Sequence, residues 1–366
     1  MKRRDFVAGL GLGSLATSIA ACSQADTTTD CGPGLTGKPI KWNMVTSWPP
    51  MFPGLGTAAD YLGRTIESAS GGRIQVKVYA AGELVPALEV FDAVSSGSAQ
   101  IGHTGAYYWK GKSPATQLFG AVPFGMNAAE YAGWLYEGGG QALYMKLYDR
   151  FNLVPFLAGF TGVQMGGWFN REINSVDDLK GLKMRIPGLG GEVFTRAGGV
   201  SVNRPGGEIF TALQTGDIDA TEWVGPYNDL SFGFYKAAKY YYYPGWHEPN
   251  AALECIVNKD AFTALPDDLK QIVQLACDSA TLRMHAEYTR NNPRALRTLI
   301  NEHNVELREF PRDVLKRLQA ISNEVLQELS NSDADFNEIY ASYSAFFGEV
   351  QPFHEVSELS YYNARK

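Results

Sequence analysis

The chain has 366 residues, a net charge of −7 and a hydrophobic content of 45%, which is typical of a folded globular protein. The acidic balance argues against a nucleic-acid partner, because phosphate binding needs a basic surface. The four cysteines form no CxxC pair and no cluster with histidines, which argues against a structural zinc site. Cys255 and Cys277 either pair in an oxidising compartment or stay as separate buried thiols.

Residues 1–22 have the features of an export signal. A short basic start precedes a weakly apolar, glycine-rich segment that is too short to span a membrane. Residues 3–7 resemble a twin-arginine signal, and the sequence ending at Cys22 resembles a bacterial lipobox, in which that cysteine is acylated. A plain cleaved signal with an incidental cysteine is the alternative. Both place the mature protein in the periplasm, and residues 23–38 are predicted to be a flexible tether.

The folded part is predicted to begin near Ile40 and to alternate between strands and helices. Apolar residues at helical spacing predict a helix over residues 55–69, and alternating apolar residues predict a strand over 73–80. A second helix between residues 86 and 97 leads into a strand over 99–104. This β-α-β order indicates an α/β protein with sheets covered by helices.

A short internal repeat favours two similar domains. Residues 91–102 and 210–221 each contain a helix with a phenylalanine, end that helix at a glycine and enter a strand. Gly97 and Gly216 stand where a left-handed backbone conformation commonly ends a helix. The match is short, so two ordinary helix–strand units are the alternative.

The second half of the chain is predicted to add strands and then long helices. The predicted strands cover residues 163–169, 182–186, 200–203, 240–243 and 305–310. Helices are predicted over residues 266–299 and 312–347, the first with a kink before Pro293. Residues 349–366 match no pattern.

Several polar and aromatic residues stand at predicted strand ends, where ligands bind in open α/β sheets. These candidates are Tyr107, Tyr108, Gln164, Arg185, Glu222, Trp223 and Glu248. An arginine fork is a common anchor for a small carboxylate. Two carboxylates, an amide oxygen and a backbone carbonyl suit Na⁺, Ca²⁺ or Mg²⁺ rather than zinc or copper.

Each candidate also has an ordinary structural interpretation. Arg185 could belong to a surface ion pair, and the aromatic residues could belong to the core, which is their commonest use. His103 and His247 are expected to be hydrogen-bonded structural residues. The residues alone therefore leave both interpretations open.

Three segments together resemble the solute receptors of tripartite ATP-independent periplasmic (TRAP) transporters. They are GLKMRIPGLGGEVF, ALQTGDIDATEWVGPYNDL and YYYYPGWHEPN, in that order along the chain. The branch that they resemble most binds 2-oxo acids such as pyruvate. The resemblance implies a two-domain periplasmic-binding-protein clam of α/β class, with hinge strands and long C-terminal helices. The expected boundaries are residues 39–162 and 251–290 for domain I, and residues 163–250 and 291–366 for domain II.

The resemblance also implies a role for each candidate. Arg185 matches the arginine that clamps the ligand carboxylate. Glu222, the carbonyl of Trp223 and Glu248 match cation ligands. Gln164 stands where sialic-acid-binding members have a second arginine, which implies a smaller ligand or one bound through a metal. The expected ligand contacts are Gln164, Arg185, Trp223, Tyr107 and Tyr108, and the expected metal ligands are Glu222, Trp223, Glu248 and Gln164.

The charges of the predicted site leave the identity of the cation open. Two glutamates and a monoanionic ligand outweigh one arginine by two charges, which Ca²⁺ would neutralise and Na⁺ would not. Uncompensated buried charge is unfavourable, so electrostatics favours Ca²⁺. The resemblance to the 2-oxo-acid branch favours Na⁺, and Na⁺ is the prediction.

The expected function is the delivery of a small 2-oxo or 2-hydroxy monocarboxylate to membrane permease subunits, without catalysis, by domains that close on the ligand. A homodimer is left open. The alternative is a periplasmic oxidoreductase with a nucleotide cofactor at residues 188–191. That segment lacks the third glycine of GxGxxG and the acidic residue about 20 positions on. A glycosidase pair of Glu222 and Glu248 agrees less well with the adjoining arginine.

Overall fold

The computed structural model describes residues 38–366. The predicted export signal over residues 1–22, with Cys22, lies outside the described residues, as does all of the predicted tether except Lys38. Within residues 38–366, no helix combines the length and the apolar character that a bilayer span requires. The first strand begins at Ile40, where the folded part was predicted to start.

The described residues form strands and helices in alternation through most of the chain. The strands are β1 (Ile40–Thr46), β2 (Ile74–Tyr79), β3 (Ile101–Gly105), β4 (Leu153–Phe160), β5 (Gly167–Phe169), β6 (Lys183–Arg185), β7 (Val200–Val202), β8 (Ala220–Thr221), β9 (Tyr240–Tyr243), β10 (Ala252–Asn258) and β11 (Glu306–Glu309). The helices are α1 (Leu55–Ala69), α2 (Val90–Ser95), α3 (Ala128–Tyr136), α4 (Gly140–Asp149), α5 (Gly188–Arg196), α6 (Gly206–Thr215), α7 (Pro226–Phe232), α8 (Lys259–Thr263), α9 (Asp267–Asn301), α10 (Arg312–Ser332), α11 (Ala334–His354) and α12 (Ser360–Ala364).

The strands form two mixed sheets, with the orders β2-β1-β3-β10-β4 and β11-β9-β5-β8-β6-β7. In the first sheet, β1 is parallel to β2 and β3, whereas β10 is antiparallel to β3 and β4. In the second, β6 is parallel to β7 and β8, and β5 is antiparallel to β8 and β9. The chain enters the second sheet after β4, returns for β10 and crosses again along α9. The predicted α/β class is confirmed.

The internal repeat contributes one helix–strand unit to each sheet. Helix α2 leads into β3 of the first sheet, and α6 leads into β8 of the second. Gly97 and Gly216 separate helix from strand with φ angles of 80° and 75°. This left-handed conformation strains most side chains and suits glycine. The repeat therefore reflects equivalent units in the two sheets.

Helix α1 illustrates how the apolar pattern positions the first sheet. Leu55, Ala59, Leu62 and Ile66 recur at helical spacing, and all four are buried. The helix packs against β2 and against the long helix α9. Each fully buried leucine or isoleucine contributes about 1.5–3 kcal/mol relative to an exposed one. Leu55, at the start of the helix, also faces the cavity described below.

The structure corrects several predicted element boundaries. Of the strand predicted over 163–169, only Gly167–Phe169 pairs in a sheet. Gln164 lies in the loop before this strand. Its backbone N–H donates to the backbone carbonyl of Glu248 at 3.3 Å instead of pairing within a sheet. The helix predicted over 312–347 is divided at Asp333, whose carboxylate caps the next helix at the Phe336 amide, 2.8 Å away.

The other long helical segments extend beyond their predicted bounds. Helix α9 continues through Pro293 to Asn301 and packs against α1, β4 and α7. It therefore contacts elements associated with both sheets. Residues 349–366, which matched no pattern, continue α11 through a turn of π-helix into α12.

Cys255 of β10 and Cys277 of α9 are both buried free thiols. Burial raises the pKa of Cys277, and a hydrogen bond with Cys255 raises it further. The sequence left open whether the two cysteines form a disulfide or stay as separate thiols. In the structure they are thiols, and they contact each other. The two thiols act as small apolar groups where β10 packs against α9.

Candidate functional site

A narrow cavity lies between residues from the two sheets. Its lining includes six of the seven predicted site residues, namely Tyr107, Tyr108, Arg185, Glu222, Trp223 and Glu248. The seventh, Gln164, donates a hydrogen bond to Glu248. The two tyrosines follow β3, Arg185 ends β6, and Glu222 follows β8. The strand-end rule therefore selected residues that the structure brings together around one cavity.

Arg185 is the positive group of the cavity and is only 1% exposed. Its Nη1 donates to Glu222 Oε1 at 2.5 Å, and its Nε donates to the Arg204 carbonyl at 3.2 Å. Nη2 makes a longer contact of 3.5 Å with the Tyr108 hydroxyl, and the guanidinium carbon lies 4.8 Å from the centroid of the Trp223 ring. Burial opposes the charged form, but the negative charge of Glu222 raises the pKa of Arg185 overall. The guanidinium therefore stays charged.

Glu222 lies between two basic side chains. Its second oxygen, Oε2, is 3.3 Å from Nε2 of His247, which is also fully buried. A carboxylate can only accept here, so Nε2 must carry the proton in this contact. His247 was predicted to be structural, and its hydrogen bond is to a site residue. The carboxylate of Glu222 is therefore held in one orientation from both sides.

Glu248, which is hydrogen-bonded to Gln164, forms the second polar side of the cavity. Gln164 Nε2 donates to Glu248 Oε2 at 2.7 Å and to Thr161 Oγ1 at 3.4 Å. Burial raises the pKa of Glu248 well above its usual range; Glu222 raises it further, whereas Arg185 and Gln164 oppose the shift. A carboxyl in this position gains its charge most easily beside a cation.

The oxygen donors of this site fit a hard cation. Gln164 Oε1 is buried and has no hydrogen-bond partner among residues 38–366. Buried acceptors in folded proteins are nearly always bonded to a donor or an ion. Two carboxylates and an amide oxygen are ligands that Na⁺ and Ca²⁺ accept. In the described part of the chain, no three His, Cys, Asp or Glu side chains cluster as a metal site. A cation here would therefore depend on amide or backbone oxygens besides the two glutamates.

The sequence did not single out the apolar part of the lining. These residues are Trp48, Leu55, Pro187, Val224 and Leu253, with Thr161 beside them. Trp48 and Thr161 follow the ends of β1 and β4, so the strand-end rule could have found both. Leu55 opens a helix and carries no such signal. These side chains can exclude water from a small ligand and limit its size.

Two buried networks hold aromatic lining residues in place. Trp48 Nε1 donates to Nδ1 of His103 at 2.7 Å, and His103 Nε2 donates to the Ala158 carbonyl at 3.2 Å. Burial lowers the pKa of His103 to about 4, which keeps Nδ1 free to accept. This histidine has the structural role that was predicted.

The second network fixes the 3-10 turn Ala106–Trp109, which carries the two site tyrosines. Trp109 Nε1 donates to Glu254 at 2.6 Å. The hydroxyls of Tyr144 and Tyr148 donate to the other oxygen of the same carboxylate at 2.5 and 2.8 Å. Three donors satisfy this carboxylate, which is only 1% exposed.

The fold and the site define a solute receptor of a bacterial transport system. The chain belongs to family 7 of the bacterial extracellular solute-binding proteins (DctP), whose family model matches residues 44–333. It is 43% identical over 363 residues to the monocarboxylate 2-oxoacid-binding periplasmic protein of Nostoc sp. (strain PCC 7120). That alignment covers 99% of this chain and 98% of the Nostoc protein.

Two solved structures of TRAP periplasmic solute-binding proteins are similar over their whole length. The protein from Pseudoalteromonas atlantica T6c, with bound sodium and pyruvate, is 41% identical with a TM-score of 0.87, covering 89% of this chain and 99% of that one. The protein from Colwellia psychrerythraea, with bound calcium and pyruvate, is 40% identical with a TM-score of 0.87, covering 89% and 100%. The predicted periplasmic-binding-protein fold and the TRAP receptor class are confirmed, whereas the oxidoreductase alternative gains no support.

Proposed function

We propose that the protein binds a small 2-oxo or 2-hydroxy monocarboxylate of the pyruvate type, together with a metal cation, and delivers it to the permease subunits of a TRAP transporter. One observation carries the proposal: a buried guanidinium and two buried glutamates line one small cavity, and the amide side chain that donates to one of these glutamates has a buried oxygen without a partner among the described residues. The pyruvate and the cations of the two related structures agree with this chemistry. No catalytic step is part of the proposal.

Arg185 is the proposed anchor for the ligand carboxylate. Its Nη1 and Nε are already engaged, whereas Nη2 makes only the 3.5 Å contact with Tyr108 among the described residues. Nη2 is therefore the donor available to a bound anion. Burial raises the pKa values of Tyr107 and Tyr108, so both hydroxyls stay protonated beside it. Two neutral donors next to a fixed cation suit a small carboxylate.

The proposed cation ligands are Glu222, Glu248, Gln164 Oε1 and the backbone carbonyl of Trp223. A bound cation would supply positive charge to the carboxylate and to the 2-oxygen of the ligand at once. We favour Na⁺ over Ca²⁺ on the resemblance to the 2-oxo-acid branch, and the sodium and pyruvate bound in the Pseudoalteromonas atlantica protein support this choice. The Arg185–Glu222 pair is neutral, so Glu248 and the ligand carboxylate are the two charges that a cation would face.

The two lobes are assigned to residues 39–162 with 251–290, and to residues 163–250 with 291–366. This division is supported by the sheets, because every strand of the first sheet lies in the first set and every strand of the second sheet in the other. The cavity takes lining residues from both sets. Closure of the lobes would exclude water from the ligand by a hinge motion.

Export by a twin-arginine-like signal and lipid anchoring at Cys22 complete the proposal for the mature protein. Support comes from the residue pattern of positions 3–22 alone, outside the described residues. An anchored receptor would stay near the membrane permease that it serves. One acyl chain alone gives only marginal membrane binding, so lipoprotein-type multiple acylation is implied.

A homodimer is proposed on the basis of an exposed apolar surface near the C-terminus. The side chains of Phe353, Val356, Leu359 and Tyr361 are between 53% and 72% exposed. These residues lie within nine positions of one another, and large exposed apolar patches are uncommon on monomers. A second copy of the chain is the proposed partner, and sedimentation of a Val356→Glu variant tests it. The variant should sediment as a monomer, and an unchanged dimer would contradict the proposal.

Calorimetry with pyruvate, lactate and propionate in sodium buffer tests the proposed ligand class. Pyruvate and lactate offer two oxygens to one cation, whereas propionate offers only its carboxylate. Both should therefore bind more tightly than propionate. Native mass spectrometry of the purified protein provides a second measurement, in which a retained ligand of the 2-oxo or 2-hydroxy acid class is expected. Absence of binding by both acids would contradict the proposal.

A further inference from the structure

A second set of contacts lies outside the ligand cavity, where the residues before α1 meet helices α7 and α9. Asn228 Nδ2 donates to the Pro53 carbonyl at 2.7 Å. The hydroxyl of Tyr288 donates to Asn228 Oδ1 at 2.7 Å. Asn228 and Tyr288 are 0% and 1% exposed, so the bond between them is shielded from water, whereas the bond to Pro53 is partly buried. We call Pro53, Asn228 and Tyr288 the clasp.

A carboxylate of α9 strengthens the same junction. Glu287 Oε1 accepts from the Gly54 amide at 3.1 Å and from the Tyr227 hydroxyl at 3.1 Å. The Thr57 hydroxyl lies 3.4 Å from both oxygens of this carboxylate. One side chain of the long helix therefore bonds both to the start of α1 and to α7, which belong to the two proposed lobes.

Gly54 permits the close approach on which the clasp depends. Its φ angle is 73°, in the left-handed region that glycine favours. A Cβ atom at this position would lie 2.4 Å from Tyr288 Cζ and 2.5 Å from its hydroxyl oxygen. The tyrosine ring therefore packs directly on the backbone, and this position has no room for a side chain.

The clasp is connected to two walls of the ligand cavity. Phe52 stacks on Phe232 of α7, with ring centroids 4.2 Å apart, and meets the Trp223 ring edge-on at 6.5 Å. Trp223 and Leu55 both line the cavity. Leu55 follows Gly54 directly and Trp223 contacts Phe52, so residues 52–54 connect the clasp to both walls.

We propose that the clasp holds the two lobes closed and sets the rate at which the ligand leaves, without touching the ligand. This inference rests on the proposed function for the class of ligand. Release requires the lobes to separate, so the bond from Asn228 to Pro53 and the stack of Phe52 on Phe232 must break. Weakening the clasp raises the open population by the same factor for every ligand, because the clasp has no contact that differs between ligands. The clasp residues are positioning residues.

The test compares two clasp variants with a matched control. Tyr288→Phe keeps the ring on Gly54 and removes only the hydroxyl, and Asn228→Ala removes both bonds. Tyr61→Phe is the control, because its hydroxyl bonds Ser279 at 2.9 Å and joins α1 to α9 within the first lobe. Pyruvate dissociation, followed by stopped-flow fluorescence in sodium buffer, should be about two- to tenfold faster in Tyr288→Phe. It should be faster still in Asn228→Ala, with the pyruvate-to-lactate affinity ratio unchanged in both.

Hydrogen exchange of the ligand-free protein gives a second measurement, which does not depend on the ligand. Residues 52–57 and 226–232 should exchange faster in both clasp variants and at the wild-type rate in Tyr61→Phe. If the wild type binds neither acid, the proposed function is wrong and exchange alone decides on the clasp. Wild-type exchange in both clasp variants overturns the inference, and so does a changed pyruvate-to-lactate ratio, which would show that these residues shape the ligand cavity rather than closure alone.

Discussion

Arg185 and Glu222 form a fully buried ion pair, with Nη1 2.5 Å from Oε1 and side-chain exposures of 2% and 1%. The pair is built into the second sheet, because the Glu222 amide also donates to the Arg185 carbonyl at 3.2 Å. Removing one partner of a buried pair leaves an uncompensated charge, which costs about 3–5 kcal/mol. The guanidinium is thus oriented by the protein before any ligand arrives.

Replacing the proposed carboxylate anchor should abolish tight binding. Arg185→Ala is expected to weaken pyruvate binding by about 2–5 kcal/mol, because the ligand carboxylate loses its charged donor. Arg185→Lys should also bind poorly, since an ammonium cannot reproduce the planar fork. Calorimetry measures both, and circular dichroism checks that the variants are folded. Wild-type affinity in a folded Arg185→Ala protein would refute the assignment.

Replacing a proposed cation ligand should reduce selectivity as well as affinity. Glu248→Gln removes a charge but keeps the side-chain shape, so cation binding and the preference for pyruvate over propionate should both weaken. Glu130→Gln is the control, because Glu130 is also largely buried (8% exposed) and hydrogen-bonds to the Asn127 amide and to His354. Competition calorimetry with the two acids measures the preference. An unchanged preference in Glu248→Gln would remove this residue from the cation site.

The stability of the protein should depend on pH through Asp229. Burial raises the pKa of Asp229 to about 7, although hydrogen bonds from Tyr241 and Trp168 oppose the shift. The native state therefore holds this proton more tightly than the unfolded state, whose carboxyl has a pKa of about 3.9. The resulting stabilisation is complete below pH 4 and is lost as the pH rises through 7.

Urea unfolding of the wild type and of Asp229→Asn between pH 5 and pH 8 measures this effect. The amide is neutral throughout and keeps an acceptor oxygen for Tyr241. The free energy of unfolding should fall with pH more steeply in the wild type than in the variant. Parallel pH profiles for the two proteins would show that Asp229 ionises normally.

The proposed lipid anchor predicts a chemical modification at Cys22. Processed protein should fractionate with membranes and be released by detergent. Cys22→Ser should abolish the incorporation of labelled fatty acid and leave the protein soluble or unprocessed. Equal labelling of wild type and variant would show that the lipobox interpretation is wrong.

Local sequence signals predicted the elements and most of the polar site. Arg185 and Glu222 stand at strand ends, and their signal is contained in a few neighbouring residues. The contact from Asn228 to Pro53 joins residues 175 positions apart, and no local pattern specifies it. Gln164 was predicted to lie on a strand over residues 163–169, whereas its backbone N–H bonds to the Glu248 carbonyl in another segment. The residues missed by the sequence are those whose role depends on how distant segments pack.

The central claim is that a cation assists the binding of a 2-oxo acid, and one titration tests it most directly. Pyruvate is titrated by calorimetry into protein in sodium-free, chelator-treated buffer, and again after Na⁺ or Ca²⁺ is restored separately. Binding should be weak or absent without a cation, and Na⁺ should restore it at least as completely as Ca²⁺. Full-strength pyruvate binding with neither ion present would contradict it, and would leave Arg185 and Gln164 to hold the ligand alone.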